Sequence, residues 1–432
     1  MPSMLNANSA RVPRKTAATK RGRAARPRVL ILGGGFAGLC AAQGLGADRY
    51  EVTLIDRQRH FEFLPNIHEI VSGVKRPELL QLPLGQAMQR AGHRFVHDSV
   101  TGIDALAHSV ATQRRKRAIA YDLLIVALGS VDATHSVVGV ARHAAFFRSA
   151  ASCSHIGRRL EQLAARREAA RVTIVGGGIS GVEALGELLR RYRQHAHLQF
   201  TLVEAAGRLL PAAPAALDAQ VRSLCAPHRV AFELGTPVKR VLARSVELVG
   251  GRSLPSDLTL WTGGPAAPQL LARSGLAMPG AWVPVHDTLR STLHPQVLIA
   301  GDAAALPDPL AKQAYHALDM GAHAARNAER VLAGRAPLPF RPALKPQLIS
   351  FGDLSCFLVA GQLVLAGVGL AAGKEAVFEL VMAQLDRQPW WTRLPRIADR
   401  SQRAAHALLW PSLSSLAALR RQAQVSILSS PD

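Results

Sequence analysis

Short aliphatic runs alternate with stretches of helical spacing through most of the chain. Val29 to Leu32 is apolar and ends in glycines, the pattern of a parallel strand buried on both faces. Phe36 to Ala47 reads as the helix that follows. Val52 to Ile55 reads as a second strand ending at Asp56, which completes a compact β-α-β unit. The order then recurs. Val172 to Val175 is apolar, glycines follow, a helix runs to about Tyr192, and Phe200 to Val203 ends at Glu204. Repetition of a whole unit implies two related nucleotide-binding folds in one chain. Between them lie strand-rich stretches at 94–110 and 118–128 and a helix over 149–167. Beyond them, strands are expected at Val230 to Glu233, Thr259 to Trp261 and Gln296 to Ala300. A long helix is expected from Lys312 to Leu332, and Pro337, Pro339, Pro342 and Pro346 mark a linker.

The last segment has a different texture. Cys356 to Gly373 is apolar except for Gln362, and its 18 residues approach a membrane-spanning length. Gly361, Gly367, Gly369 and Gly373 oppose a helix there, so two short strands joined by a turn are expected. Arg387 to Arg421 holds seven arginines, one acid (Asp399) and three tryptophans, Trp390, Trp391 and Trp410. That composition suits an amphipathic helix lying on an anionic bilayer, or one docked on the protein's own body.

Charge sharpens this picture. The formal net charge is +22, which favours acidic partners. Aromatic residues make up only 5% of the chain, too few for stacking platforms, and no nucleic-acid-binding module is spelled out. An anionic membrane surface is therefore expected, and no nucleic acid. Residues 1–27 are basic, lack an apolar core and read as a disordered tail, not a secretory signal. Cys40, Cys153, Cys225 and Cys356 form no C-x-x-C pair and read mainly as small buried hydrophobes in a cytoplasmic protein. His60, His68, His93 and His97 show no metal-site spacing, and no metal is expected.

The chemistry lies in the glycine turns. Gly33-Gly34-Gly35-Phe36-Ala37-Gly38 has the spacing of a dinucleotide fingerprint. Gly33 serves the tight turn, Gly35 the approach of backbone to a pyrophosphate, and Gly38 the packing of helix on strand. Asp56 is placed to accept hydrogen bonds from a ribose. Gly176, Gly178 and Gly181 repeat the pattern, with Glu204 as the strand-end acid. A carboxylate there pairs with a free 2′-hydroxyl and repels a 2′-phosphate, which favours NADH, although Arg208 lies close by. Two dinucleotide folds suit FAD between two redox partners. Arg57, Pro65, Ala127 and Gly129 complete the expected cofactor contacts, with Gly301 and Asp302 at the end of a buried strand; Asp302 reads alternatively as a helix N-cap.

From about Arg28 to Leu385 the chain resembles the two-dinucleotide-binding-domain flavoproteins, specifically type II NADH dehydrogenases and their ferroptosis-suppressor and sulfide:quinone relatives. Phe61 to Gly73, Gly181-Val182-Glu183, Trp261-Thr262-Gly263 and Phe351-Gly352-Asp353 all resemble segments of that family. The resemblance implies hydride transfer from NADH to FAD and on to a quinone, without proton pumping. It implies a place for Glu183 at the nicotinamide–flavin contact, against the plainer reading of a first-turn glutamate facing the helix dipole. Lys312 would lie by the flavin's pyrimidine edge and stabilise charge on the reduced ring. The family's A-Q-x-A-x-Q quinone signature is replaced by Ala314-Tyr315-His316-Ala317-Leu318-Asp319, while Lys312-Gln313-Ala314-Tyr315 resembles the ferroptosis-suppressor type. The cysteines do not fall where sulfide chemistry needs them.

The expected fold is α/β. An FAD domain spans 28–148 and 266–336, an NADH domain is inserted at 149–265, and a C-terminal α+β cap with an amphipathic helix fills 337–432. The expected enzyme is an NADH:quinone oxidoreductase lying peripherally on the inner membrane face. A flavoprotein reductase using another aromatic acceptor or a carrier protein is the alternative, and a homodimer is compatible with either.

Overall fold

The structure is a computed structural model that describes residues 25–387 and 425–428. Its first half is built by β1 (Arg28–Leu32), α1 (Phe36–Gly44), β2 (Glu51–Asp56), β3 (Arg94–His97) and β4 (Leu123–Val126). A second unit follows: β5 (Ala144–Phe146), α2 (Ala150–Ala164), β6 (Ala170–Val175), α3 (Ile179–Tyr192), β7 (Leu198–Glu204), β8 (Val230–Leu234) and β9 (Leu258–Trp261). The chain then returns to the first half through β10 (Val297–Ile299) and α4 (Ala314–Leu332). It ends with β11 (Gln347–Phe351), β12 (Ser355–Ala360), β13 (Leu363–Ala366), α5 (Ala371–Asp386) and β14 (Ser426–Leu428).

The two central sheets are parallel throughout. Their orders are β10-β4-β1-β2-β3 and β5-β9-β6-β7-β8. Val29 to Leu32 and Leu123 to Val126 are buried along their whole length, as strands covered on both faces must be. The C-terminal sheet is antiparallel, in the order β11-β12-β13-β14. The expected strand pair after Cys356 is therefore present, turning at Gly361. No helix among the described residues is long and apolar enough to cross a membrane.

Several boundaries differ from expectation. α1 stops at Gly44, because Leu45, set between two glycines, takes an extended conformation. α4 begins at Ala314, two residues after Lys312, since Gln313 is extended. Ala144–Phe146 already belongs to the second sheet, pairing with β9, so the domain junction falls before 149. α5 was not expected at all. Apart from Arg387, the anticipated amphipathic tail to Arg421 lies outside the described residues, as do residues 1–24.

Candidate active site

The two glycine turns are built alike. Gly33 and Gly176 turn at φ of +100° and +108°. A Cβ on Gly38 would sit 1.8 Å from the carbonyl oxygen of Gly33, and one on Gly181 equally close to that of Gly176, so each helix starts in contact with its own turn. Gly35 and Gly178 are different. Their backbones are extended, and a Cβ on either would meet nothing within 4 Å. The polypeptide itself does not demand glycine at these two places; a group approaching the backbone from outside would. Neither α1 nor α3 has a side-chain cap or an acid in its first turn. By contrast α2 is closed by a capping box between Ser149 and Ser152. Uncapped N–H groups above a glycine cradle fit a pyrophosphate.

The strand-end acids brace these turns. Asp56 accepts from the N–H of Gly34 and of Gln58, both at 2.6 Å. Glu204 accepts from Gly177 at 2.5 Å and from Ala206 at 2.8 Å. Burial pushes the Asp56 carboxyl up, against the pull of its two backbone donors. Arg208, next to the second turn, is already committed. Its guanidinium donates to the carbonyls of Leu210, Pro211 and Ala213 at 3.1, 2.7 and 2.8 Å.

One cavity of about 530 Å³ joins the parts. Gly33, Gly35, Phe36 and Ala37 line it, with Asp56, Arg57 and Pro65 beside them. Ala127, Gly129, Gly301, Asp302 and Lys312 line it too. The second unit contributes Ile179, Ser180, Glu183 and Trp261, and the C-terminal segment Leu348, Lys374, Val377 and Val381. Gly38 is packed behind the first turn. Gly176, Gly178, Gly181 and Glu204 do not line this cavity, which places the second cradle beside it.

Glu183 sits at the junction of the three segments, past the first turn of α3 and almost wholly buried, so the dipole reading does not hold. Its Oε1 accepts from Lys374 Nζ at 2.5 Å and from the N–H of Ser350 at 3.1 Å. His68 Nδ1 lies 3.6 Å from Oε2, and Lys374 Nζ lies 3.4 Å from His68 Nε2. Burial drives the Glu183 carboxyl up while Lys374 opposes it. Burial and the lysines hold His68 well below its ordinary value, so it stays neutral. Further in, Lys75 pairs with Glu69 at 2.9 Å and with Glu375. Glu187, sealed from solvent, accepts from the Ser72 hydroxyl, and burial pushes its carboxyl up to about 7.

Elsewhere in the cavity lining Lys312 donates to the carbonyl of Ala304 at 2.6 Å and sits 4.6 Å above the Trp282 ring. Burial lowers its pKa. The stretch that replaces the glutamine signature splits: Tyr315 lines the cavity, while Asp319 pairs with Lys345 at 2.5 Å. His68, Lys374 and Trp282 were not singled out from sequence as site residues. Lys374 and Trp282 meet the site only through tertiary contacts, and nothing local in their segments marks them; His68 lies within the Phe61 to Gly73 stretch that resembles a segment of the family.

Known proteins share this fold. Residues 27–321 match the pyridine nucleotide-disulphide oxidoreductase family. A type II NADH:quinone oxidoreductase of Staphylococcus epidermidis is 28% identical over 386 residues, covering 82% of this chain and 93% of that protein. The Staphylococcus aureus protein of the same name is 25% identical over the same shares. Among solved structures, NDH2 from Plasmodium falciparum in complex with NADH has a TM-score of 0.75 at 16% identity, covering 88% of this chain and 98% of that one. The sulfide:quinone oxidoreductase from Aquifex aeolicus has a TM-score of 0.74 at 19% identity, covering 84% and 92%. These structural likenesses establish the fold. The match over residues 27–321 goes further, and the chain belongs to the pyridine nucleotide-disulphide oxidoreductase family.

Proposed function

We propose that the protein is an FAD-dependent NADH:quinone oxidoreductase. The observation that carries this reading is the single cavity into which the first glycine cradle, the start of α3 and the C-terminal segment all open. FAD, when bound, supplies a two-electron carrier between NADH and the acceptor. The names of the staphylococcal relatives support NADH and a quinone as the two substrates.

The chain's own residues have separable tasks. Gly33, Gly35, Phe36, Ala37 and Gly38 form the turn and helix start that would hold the FAD pyrophosphate, with Asp56 and Arg57 at its ribose side. Pro65, Ala127, Gly129, Gly301 and Asp302 would contact the rest of the flavin. Gly176, Gly178, Gly181 and Glu204 would hold NADH. Three of the five N–H donors of Arg208 are committed to backbone carbonyls, which supports NADH over NADPH. Glu183 and Lys374 together hold one buried pair of opposite charges at the cavity wall, and a proton can rest on either. Lys312 places a positive charge elsewhere in the same lining. Apolar Leu348, Val377 and Val381 give an aromatic acceptor a dry face. The net charge of +22 supports peripheral attachment to an anionic, inner membrane surface.

Anaerobic stopped-flow reduction with NADH, followed by a panel of oxidants, tests the reading. NADH should bleach the bound flavin, and a quinone should restore it within the turnover time. Glu183→Gln should slow reduction by roughly tenfold or more. Bleaching without quinone turnover would move the acceptor to another aromatic compound or a carrier protein. No bound flavin at all would sink the proposal.

A further inference from the structure

Arg148 stands where the chain passes from β5 into α2, one residue before the Ser149 cap. By chain position it belongs to the second unit. Its side chain instead reaches the first. Nη2 donates to the carbonyl oxygen of Ser130 at 2.8 Å and to the Ser130 hydroxyl at 2.5 Å. That hydroxyl in turn donates to Asp302 Oδ2 at 2.6 Å. Asp132 Oδ1 lies 3.9 Å from Nε.

The chain of bonds has one direction. A guanidinium can only donate, and a carboxylate can only accept, so the lone hydroxyl proton of Ser130 is fixed on Asp302. Ser130 follows the Gly129 turn after β4, and Asp302 follows β10. Their strands are neighbours in the first sheet. Both residues and Arg148 line the shared cavity. Only one oxygen of Asp302 is engaged in this way. Oδ1 has no protein donor among the described residues, so it is available to a hydroxyl-bearing ligand.

We infer that Arg148 is a positioning residue for the flavin, acting through Ser130 on Asp302. It sets the rotamer of the carboxylate that would receive a ribityl hydroxyl, and it makes tenure of FAD in the first unit depend on a residue of the second. The inference rests on the reading of this cavity as a flavin site.

The test is release of FAD from the holoprotein on dilution, followed by the rise in free-flavin fluorescence. Arg148→Met and Ser130→Ala should each release FAD about tenfold faster, the scale of one lost charge-assisted bond. The double variant should be no faster than either single one, because all three break the same chain. Arg148→Lys, which keeps a cation and one donor, should recover part of the loss. Release at the wild-type rate in both single variants, or additive effects in the double, overturns the inference. If Arg148→Met does not fold, Ser130→Ala decides alone, since it removes one hydroxyl. Wild-type protein that holds no FAD would instead remove the flavin reading itself.

Discussion

Glu187 is a carboxyl with nowhere to discharge. It lies one turn along α3 from Glu183, fully buried, with the Ser72 hydroxyl on Oε2 and Arg190 Nε 3.6 Å from Oε1. Its folded pKa of about 7 stands above the 4.5 of the free group. The folded state therefore binds more protons than the unfolded state between those values. The stability this group contributes is fully present below pH 4.5 and is lost as pH rises through 7, on the order of 3 kcal/mol. Glu187→Gln should be close to wild type in thermal unfolding at pH 5 and more stable at pH 8. An equal gap at both values would show that the carboxyl is already charged in the native protein. Residues of this kind divide sharply in how readable they are. Gly33, Gly35 and Gly38 declare themselves because they fall within six residues, at one turn and the start of one helix. His68, Glu187 and Lys374 do not. The partners Ser72, Glu183 and Lys374 lie more than a hundred positions from the groups they meet, and a lysine after an apolar run carries no mark of the carboxylate it will meet.

Elements also meet closely where α3 crosses the C-terminal hairpin. A Cβ on Gly186 would lie 2.5 Å from the N of Gly352, and one on Gly352 2.2 Å from the carbonyl oxygen of Gly186. Arg193 closes the contact with a paired grip on Asp353, at 2.5 and 2.8 Å, and Arg190 donates to the Gly352 carbonyl at 2.5 Å. This crossing is what carries Glu183 to Lys374. Gly186→Ala should cost about 1–3 kcal/mol in denaturant unfolding, the range for overpacked contacts, and should weaken the coupling of Glu183 to the hairpin. Indifference to the methyl group would mean the two elements can separate freely. The alternation of strands and helices was legible because both central sheets are buried and their strands are uniformly apolar. The short strands after Cys356 were legible from their glycines. α5 was missed because Gly373 stands in its first turn and the preceding run reads as strand. Its faces are not cleanly divided, so periodicity gave no signal.

The molecule as a whole is strongly cationic, and that property belongs to no single site. Vesicles containing anionic lipid should retain the protein at low ionic strength and release it as salt rises past the point where the screening length falls to about 8 Å. Neutral vesicles should retain little. Retention that ignores lipid charge would remove the electrostatic account of membrane attachment. Charge was visible from composition alone. The pairing of two nucleotide folds was visible from repetition. Their mutual placement was not, since it depends on β10 returning to β4 after the whole second unit has been made.

That return has a consequence for the newborn chain. The second sheet needs nothing beyond Trp261, whereas the first cannot be finished until Val297–Ile299 arrives. On the ribosome the first of the two parallel sheets is thus completed after the second. At ordinary rates of synthesis the exposed edge of β4 waits on the order of ten seconds or more for its neighbour. During that interval a half-built sheet rich in valine, leucine and isoleucine has an open flank, and the hazard it must survive is pairing with a strand of another chain.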